Sequence, residues 1–250
     1  MTTRIHAILT KEELDESQLN GKVVVVFDIL LATSTITAIL HAGAKRVIPV
    51  KNKEEALQVY ETDVQDGVLV GEYEGKTIEG FLEPNPTKLI NKVKNKTVIL
   101  STTNGTVALV KSKASKRTYA ASLLNSEAVA EDIAALYHDE TIILVCSGSS
   151  GRFCMEDFYG VGYFISCLQN SLTVDLTDSA RAAHLFYQSY SEDSYHVLSQ
   201  TRVGQFLIRY GFEEELHYIS RLSSMNSVPI FTNDSVVLKE DSHVRNSTKN

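Results

Sequence analysis

Basic runs, long apolar stretches and paired cysteines are all missing from this 250-residue chain. Twenty-four Lys and Arg stand against 31 Asp and Glu, a formal net charge of −7. That balance argues against nucleic-acid partners and against anionic membranes, because both are bound by basic side chains that displace counterions. No apolar run approaches the roughly 20 residues of a membrane span. The first residues, Met1–His6, hold no apolar stretch of the signal-peptide kind. Only three cysteines occur, Cys146, Cys154 and Cys167, with no Cys-x-x-Cys pair or Cys/His cluster. Neither a disulfide framework nor a zinc site is expected, and reduced thiols of a cytoplasmic protein are. No Pro-, Gly- or Ser-rich linker divides the chain. The expectation is one domain over residues 1–250, with 239–250 a polar tail that frays.

What is present is an alternation of short apolar strands with helical patterns, the signature of βα units. Strands are expected at Val23–Phe27, Val47–Val50, Val68–Gly71, Val98–Leu100, Thr118–Ala120, Thr141–Val145 and Val228–Phe231. Asn52 followed by Glu55 marks a helix start, and Gly43 a helix end. From about Leu172 onward helices dominate: one starts at Asp178, one covers Tyr195–Tyr210, and one covers Glu213–Leu222 beyond Gly211. The predicted fold class is α/β in three layers, α/β/α, around a mainly parallel or mixed sheet, with a helix-rich C-terminal third covering it.

Three of the expected strands end in loops of small polar residues. Asp28 closes the run Val23–Phe27 and precedes Thr33-Ser34-Thr35; Val98–Leu100 leads into Ser101-Thr102-Thr103-Asn104-Gly105-Thr106; Ile142–Val145 leads into Cys146-Ser147-Gly148, with Arg152 beyond. Open α/β sheets bind ligands beyond the carboxyl ends of their strands, and N–H groups at helix starts favour anions there. Ordinary turns also prefer Gly, Ser, Thr and Asn, so one such loop says little. Three together point to a phosphate-like ligand. With a net charge of −7, such a site needs local positive charge from Arg, Lys, backbone N–H groups or a metal. The units Gly21–Val50 and Lys96–Ala121 share their layout, including a Lys-Arg pair at Lys45-Arg46 and Lys116-Arg117.

These motifs together resemble the 2-phosphosulfolactate phosphatase family of the coenzyme M and sulfolactate pathways. The resemblance rests on Asp28 through Thr35, Ile78-Glu79-Gly80-Phe81, Thr102 through Thr106, and Cys146-Ser147-Gly148 with Phe153 and Glu156-Asp157. It implies a magnesium-dependent hydrolase that converts 2-phospho-3-sulfolactate to 3-sulfolactate and phosphate. Asp28, Asn104, Glu156 and Asp157 would carry the catalysis, and Asp28, Glu156 and Asp157 would hold Mg²⁺. The substrate would be lined by Thr33, Ser34, Thr35, Glu79, Asn85, Thr102, Thr103, Gly105, Thr106, Cys146, Ser147, Gly148 and Arg152. Arg181 and Arg202 are further candidates to pair with an anion. Three positions depart from the family pattern, Leu31, Tyr73 and Val107, where Arg is usual. Arg is the bidentate partner of phosphate and sulfonate groups, so these losses bear on the substrate.

Other readings stay open at this stage. Acids are favoured in the first turn of any helix, which by itself would account for Glu156-Asp157. Cys146 and Arg152 have the Cys-x₅-Arg spacing of a thiolate phosphatase loop. A related phosphatase for another phosphorylated hydroxy acid, or a non-catalytic anion-binding protein, would use the same scaffold. A homodimer is the default assembly.

Overall fold

The computed structural model describes residues 2–239 apart from 65 and 192. β1 (Thr3–Ile8) leads to β2 (Val23–Phe27), α1 (Ala32–His41), β3 (Arg46–Val50) and α2 (Lys53–Thr62). A hairpin of β4 (Val68–Tyr73) and β5 (Lys76–Thr77) precedes the short α3 (Pro86–Leu89), β6 (Thr97–Ser101), α4 (Gly105–Lys111) and β7 (Arg117–Ala121). Then come α5 (Ser126–Leu136), β8 (Ile142–Cys146), α6 (Met155–Gln169), β9 (Val174–Leu176) and α7 (Asp178–Ser189). Three short helices, α8 (Ser194–Gln200), α9 (Arg202–Arg209) and α10 (Glu213–Ile219), are followed by the hairpin β10 (Pro229–Thr232) and β11 (Ser235–Leu238).

The strands form one mixed sheet in the order β5-β4-β6-β3-β11-β10-β7-β2-β8-β1-β9. β4, β6 and β3 are parallel to one another, as are β7, β2, β8, β1 and β9, and the β10–β11 hairpin joins the two blocks by antiparallel pairing. β2 and β8 are buried along their whole length, as continuous apolar runs of a covered parallel sheet should be. Their side chains alternate between two cores. Val23, Val25, Phe27, Ile142 and Leu144 pack against Val129, Ile133 and Phe164 of α5 and α6. Val24, Val26, Ile143 and Val145 pack against Ile36, Ile39 and Leu109 of α1 and α4. The three layers are therefore those expected.

Two crossovers exchange partners between the blocks. β2 passes through α1 to β3, and β6 passes through α4 back to β7, with β2 beside β7 and β3 beside β6. The two units alike in sequence are thus reciprocal in space, and the starts of their helices meet.

The C-terminal third differs from expectation in three respects. Residues 195–210 form two helices, because Thr201 is extended, accepts a hydrogen bond from Gly204 N–H at 2.9 Å and donates to Leu198 O at 2.9 Å. The hairpin β10–β11 enters the middle of the sheet, turning at Asn233 and Asp234, both at positive φ. Among the described residues α7 packs on the sheet against β1 and β9, whereas α8, α9 and α10 pack mainly on one another and on α6 and α3. The expected tail lies outside the described residues except for Lys239, which is anchored by its N–H to Val228 O and by its ammonium to Asp132. Among the described residues no helix is long and apolar enough to cross a membrane.

α6 and α7 approach so closely at Gly162 that an added Cβ would stand 2.1 Å from Ala183 O. Ala in place of a helical Gly is worth about 1 kcal/mol of propensity. Forcing a methyl against a backbone carbonyl costs about 1–3 kcal/mol or more. Gly162→Ala is expected to lower stability by about 1–2 kcal/mol, read as a lower urea midpoint at unchanged m-value; an equal or higher midpoint would show that the helices part freely.

Candidate active site

The loops after β2, β6 and β8 converge on a cleft of about 620 Å³, walled on the far side by the β4–β5 hairpin and by α9. Asp28, at the end of β2, is buried on its floor. Its Oδ1 accepts from Ala32 N–H at 3.3 Å. The start of α4 is pressed onto it: a Cβ on Gly105 would lie 2.7 Å from Asp28 Oδ2 and 2.6 Å from Ala32 Cβ. Any other residue at 105 would displace the carboxylate. Burial raises the Asp28 pKa to about 7, the neighbouring Glu72 and Glu156 add to the rise, and the Ala32 and Gly105 N–H groups oppose it.

Asn104 also lines the cleft. Its Oδ1 accepts from Lys11 Nζ at 2.8 Å and from Ser150 N–H at 3.2 Å. Two donors on that atom fix the carboxamide and leave its NH₂ as the group free to donate. Lys11 is buried and ion-paired with Glu12. Thr102 and Thr103 line the cleft as well, but their donors are committed. Thr102 is bonded to Thr106, and Thr103 gives its N–H at 2.7 Å and its hydroxyl at 3.1 Å to Glu72. Asn85 is buried in the wall and donates to Glu83.

Several expected lining residues have other tasks. Thr33 Oγ1 accepts from Asp28 N–H and donates to Asp28 O, Ser34 donates to Ile29 O, and Thr35 donates to Pro84 O at 2.6 Å. All three are fully buried and hold the loop rather than a ligand. Thr106 is spent in the same way at the start of α4. Glu79 is exposed and stands outside the cleft lining. Gly148, at φ +68°, donates its N–H to Asp157 Oδ2 at 3.0 Å, while Asp157 Oδ1 takes Ile29 N–H at 2.9 Å. Asp157 thereby ties the β8 loop to the β2 loop with both oxygens. Burial raises its pKa well above the ordinary value, with Asp28 and Glu156 adding repulsion.

Glu156 is buried beside Asp157. Burial raises its pKa, opposed by its own backbone N–H, by Cys154, and by the charge of Arg202 and the hydroxyl of Thr201. Arg202 lines the cleft and bonds Ser149 Oγ, whereas Arg181 is exposed on α7. Cys146 is wholly buried, and burial together with Asp157 keeps it a neutral thiol. Arg152 is exposed and lies outside the lining. The thiolate-phosphatase reading thus loses both its nucleophile and its arginine. Ser147 is buried with its hydroxyl unpartnered among the described residues. Of the three departures from the family pattern, only Leu31 lines the cleft; Tyr73 is 66% exposed, and Val107 lies on α4 outside the lining.

Sequence reasoning missed Glu72, Lys11 and Arg209 as residues of the site. Glu72 sits in β4 and accepts from Thr103 and from Gly75 N–H at 2.8 Å. Its only sequence signal is its place at the end of an expected strand.

The sequence model of the 2-phosphosulpholactate phosphatase family matches residues 8–234. The chain belongs to that family. Proteins described as probable 2-phosphosulfolactate phosphatases are similar to it over nearly their whole length. One from Clostridium acetobutylicum is 34% identical over 237 residues, covering 94% of this chain and 100% of the relative. One from Clostridium perfringens is 36% identical over 238 residues, 93% and 95% of the two chains, and one from Carboxydothermus hydrogenoformans 34% over 226 residues, 90% and 92%. Membership puts the chain among the phosphoric monoester hydrolases.

A family phosphatase whose floor carboxylate resists ionisation carries a cost in stability. An acid with a higher pKa folded than unfolded contributes fully below the unfolded value, and that stability is lost as pH rises through the folded pKa. For Asp28 the window runs from about 3.8 to about 7. Asp28→Asn is therefore expected to be more stable than the wild type by about 1–3 kcal/mol at pH 8 and equal to it near pH 3.5. Urea unfolding in chelator at the two pH values reads this directly, and a variant less stable at pH 8 would contradict it.

Proposed function

We propose that this protein is a magnesium-dependent phosphatase that hydrolyses 2-phospho-3-sulfolactate to 3-sulfolactate and phosphate. The observation that carries the reading is the buried Asp28 at the meeting point of the β2 and α4 loops, beside an Asn104 carboxamide fixed for donation. Family membership and the names of the relatives support the substrate.

The charges around the cleft support a bound cation. Asp28, Glu72, Glu74 and Glu83 line it against Arg202 and Arg209. A phosphate dianion entering that lining meets net repulsion unless positive charge accompanies it. Among the described residues no three His, Cys, Asp or Glu side chains are grouped so as to hold a metal by themselves. Mg²⁺ does not require that, since one or two carboxylates with substrate oxygens and water suffice. Asp28 would hold it, with Glu72 and Glu156 as neighbouring carboxylates, and Asp157 keeps its structural task. When bound, magnesium supplies the charge that neutralises the phosphoryl oxygens.

The chain's own residues do the positioning on which phosphoryl transfer depends. Asn104 donates its NH₂ to a phosphate oxygen. Lys11 holds that amide in place. Glu72, by taking the Thr103 and Gly75 donors, fixes the hairpin turn over the cleft. The apolar residues Leu31, Val203, Phe206, Leu207 and Phe212 cover the ligand from the other side and limit water.

Phosphate release from 2-phospho-3-sulfolactate is expected to require magnesium and to stop in chelator. Asp28→Asn should lower kcat/KM by about 10³-fold or more, and Asn104→Ala by about 10–100-fold. Full turnover in chelator would end the magnesium assignment. No release by folded protein would end the phosphatase reading.

A further inference from the structure

The acidic side chains of the cleft come from several loops, whereas both basic ones come from one helix. Arg202 and Arg209 lie seven residues apart on α9, and both line the cleft. Two turns of 3.6 residues return them to one helix face, with Cα atoms about 10 Å apart and long side chains able to converge. Phe206 lies between them on the cleft side, and its ring reaches to within 3.8 Å of where a Cβ on Gly75 would stand, at the tip of the β4–β5 hairpin. α9 and that hairpin therefore meet over the mouth of the cleft.

The two arginines are not equally occupied. Arg202 bonds Ser149 Oγ, and its charge offsets Glu156. The guanidinium of the exposed Arg209 makes no hydrogen bond or ion pair among the described residues. A cation in the last turn of a helix is favoured by the dipole on any face. The dipole does not account for a guanidinium facing a ligand cleft with no counter-charge of its own. Near Asp28 a ligand meets Asn104 and the carboxylates; near α9 it meets an apolar wall with a free guanidinium.

The geometry points to a second-anion subsite on α9, in which Arg209, assisted by Arg202, grips an oxyanion on the alcohol part of the phosphate ester. This assignment rests on the phosphatase reading and deepens it. It makes Arg209 a specificity-determining residue, one that reads the alcohol part of the ester rather than the phosphoryl group. A guanidinium fork matches a sulfonate or carboxylate with two parallel hydrogen bonds, which an ammonium cannot reproduce.

The test uses 3-sulfolactate, which has the second anion but no phosphoryl group, and isopropyl phosphate, which has the phosphoryl group but no second anion. Calorimetric binding of 3-sulfolactate to the magnesium-loaded wild type, Arg209→Gln and Arg209→Lys is measured first. Arg209→Gln is expected to bind about tenfold more weakly, with Arg209→Lys between the two. The preference for 2-phospho-3-sulfolactate over isopropyl phosphate, as a ratio of kcat/KM values, should fall by a similar factor in Arg209→Gln. Unchanged 3-sulfolactate binding, or an equal loss on both esters by folded variant, would overturn the subsite. Arg209-dependent binding without turnover of either ester would leave the subsite standing and remove the phosphatase. Turnover of both esters with equal preference would do the reverse.

Discussion

The approach of Gly105 to Asp28 is the constraint on which the rest of the site depends. No side chain at 105 could coexist with the Asp28 carboxylate and Ala32 in their positions. That closeness follows from the reciprocal crossovers, which carry α1 from one block of the sheet toward the other and α4 back again. The two helix starts meet where their strands end. Each then brings one contribution: β2 a carboxylate, and the loop after β6 an amide. The packing that aligns them also takes the carboxylate out of water, so alignment and the raised pKa are two results of the same contact.

Burial of that kind concentrates negative charge. Asp28, Glu156 and Asp157 each hold protons more tightly than an ordinary carboxylate, burial being the largest cause for all three. The fold tolerates Asp157 because two backbone N–H groups surround it, and the resulting tie holds the β2 and β8 loops in register. Asp28 is less well served, with its N–H partners opposed by Glu72 and Glu156. A group left in that condition stores free energy that a ligand can recover, and such stored repulsion is a common feature of functional sites. The same reasoning separates adjacent acids: Glu156 and Asp157 look equivalent in sequence, yet only Asp157 has both oxygens occupied by the backbone.

Much of the scaffold was legible because its signals are local. Each expected strand is present to within two residues, since a fully buried strand such as Val23–Phe27 needs no context to be recognised. Asp28 and Asn104, singled out by their position after such strands, both line the cleft. Polar residues read as ligand contacts fared differently. Thr33, Ser34, Thr35 and Thr106 are the hydroxyls that a tight strand-to-helix loop needs for its own backbone groups. A sequence does not separate that use from ligand binding, because both call for the same residue types. Glu72, Lys11 and Arg209 escaped for the opposite reason: each reaches the site only through tertiary contacts from distant segments. The β10–β11 hairpin was half seen: only its first strand was expected, although both run four residues, and nothing local could say that the pair would enter the centre of the sheet.

The corner at Thr201 is what converts a helical C-terminal third into part of the cleft. An added Cβ at Gly204 would stand 1.9 Å from Leu198 O, so the chain turns there with no room for a side chain. Had residues 195–210 continued as one helix, the amphipathic segment Arg202–Arg209 would have followed α8 instead of turning toward the site. With the break, Leu207 and Val203 join the hydrophobic core and still line the cleft, beside Arg202, Phe206 and Arg209. A chain of net charge −7 that handles an anion must gather positive charge locally, and the lining shows how little of it comes from the strand loops themselves. Those loops contribute the carboxylate of Asp28 and the amide of Asn104. The positive side chains arrive from α9, set in place by a threonine cap and a glycine.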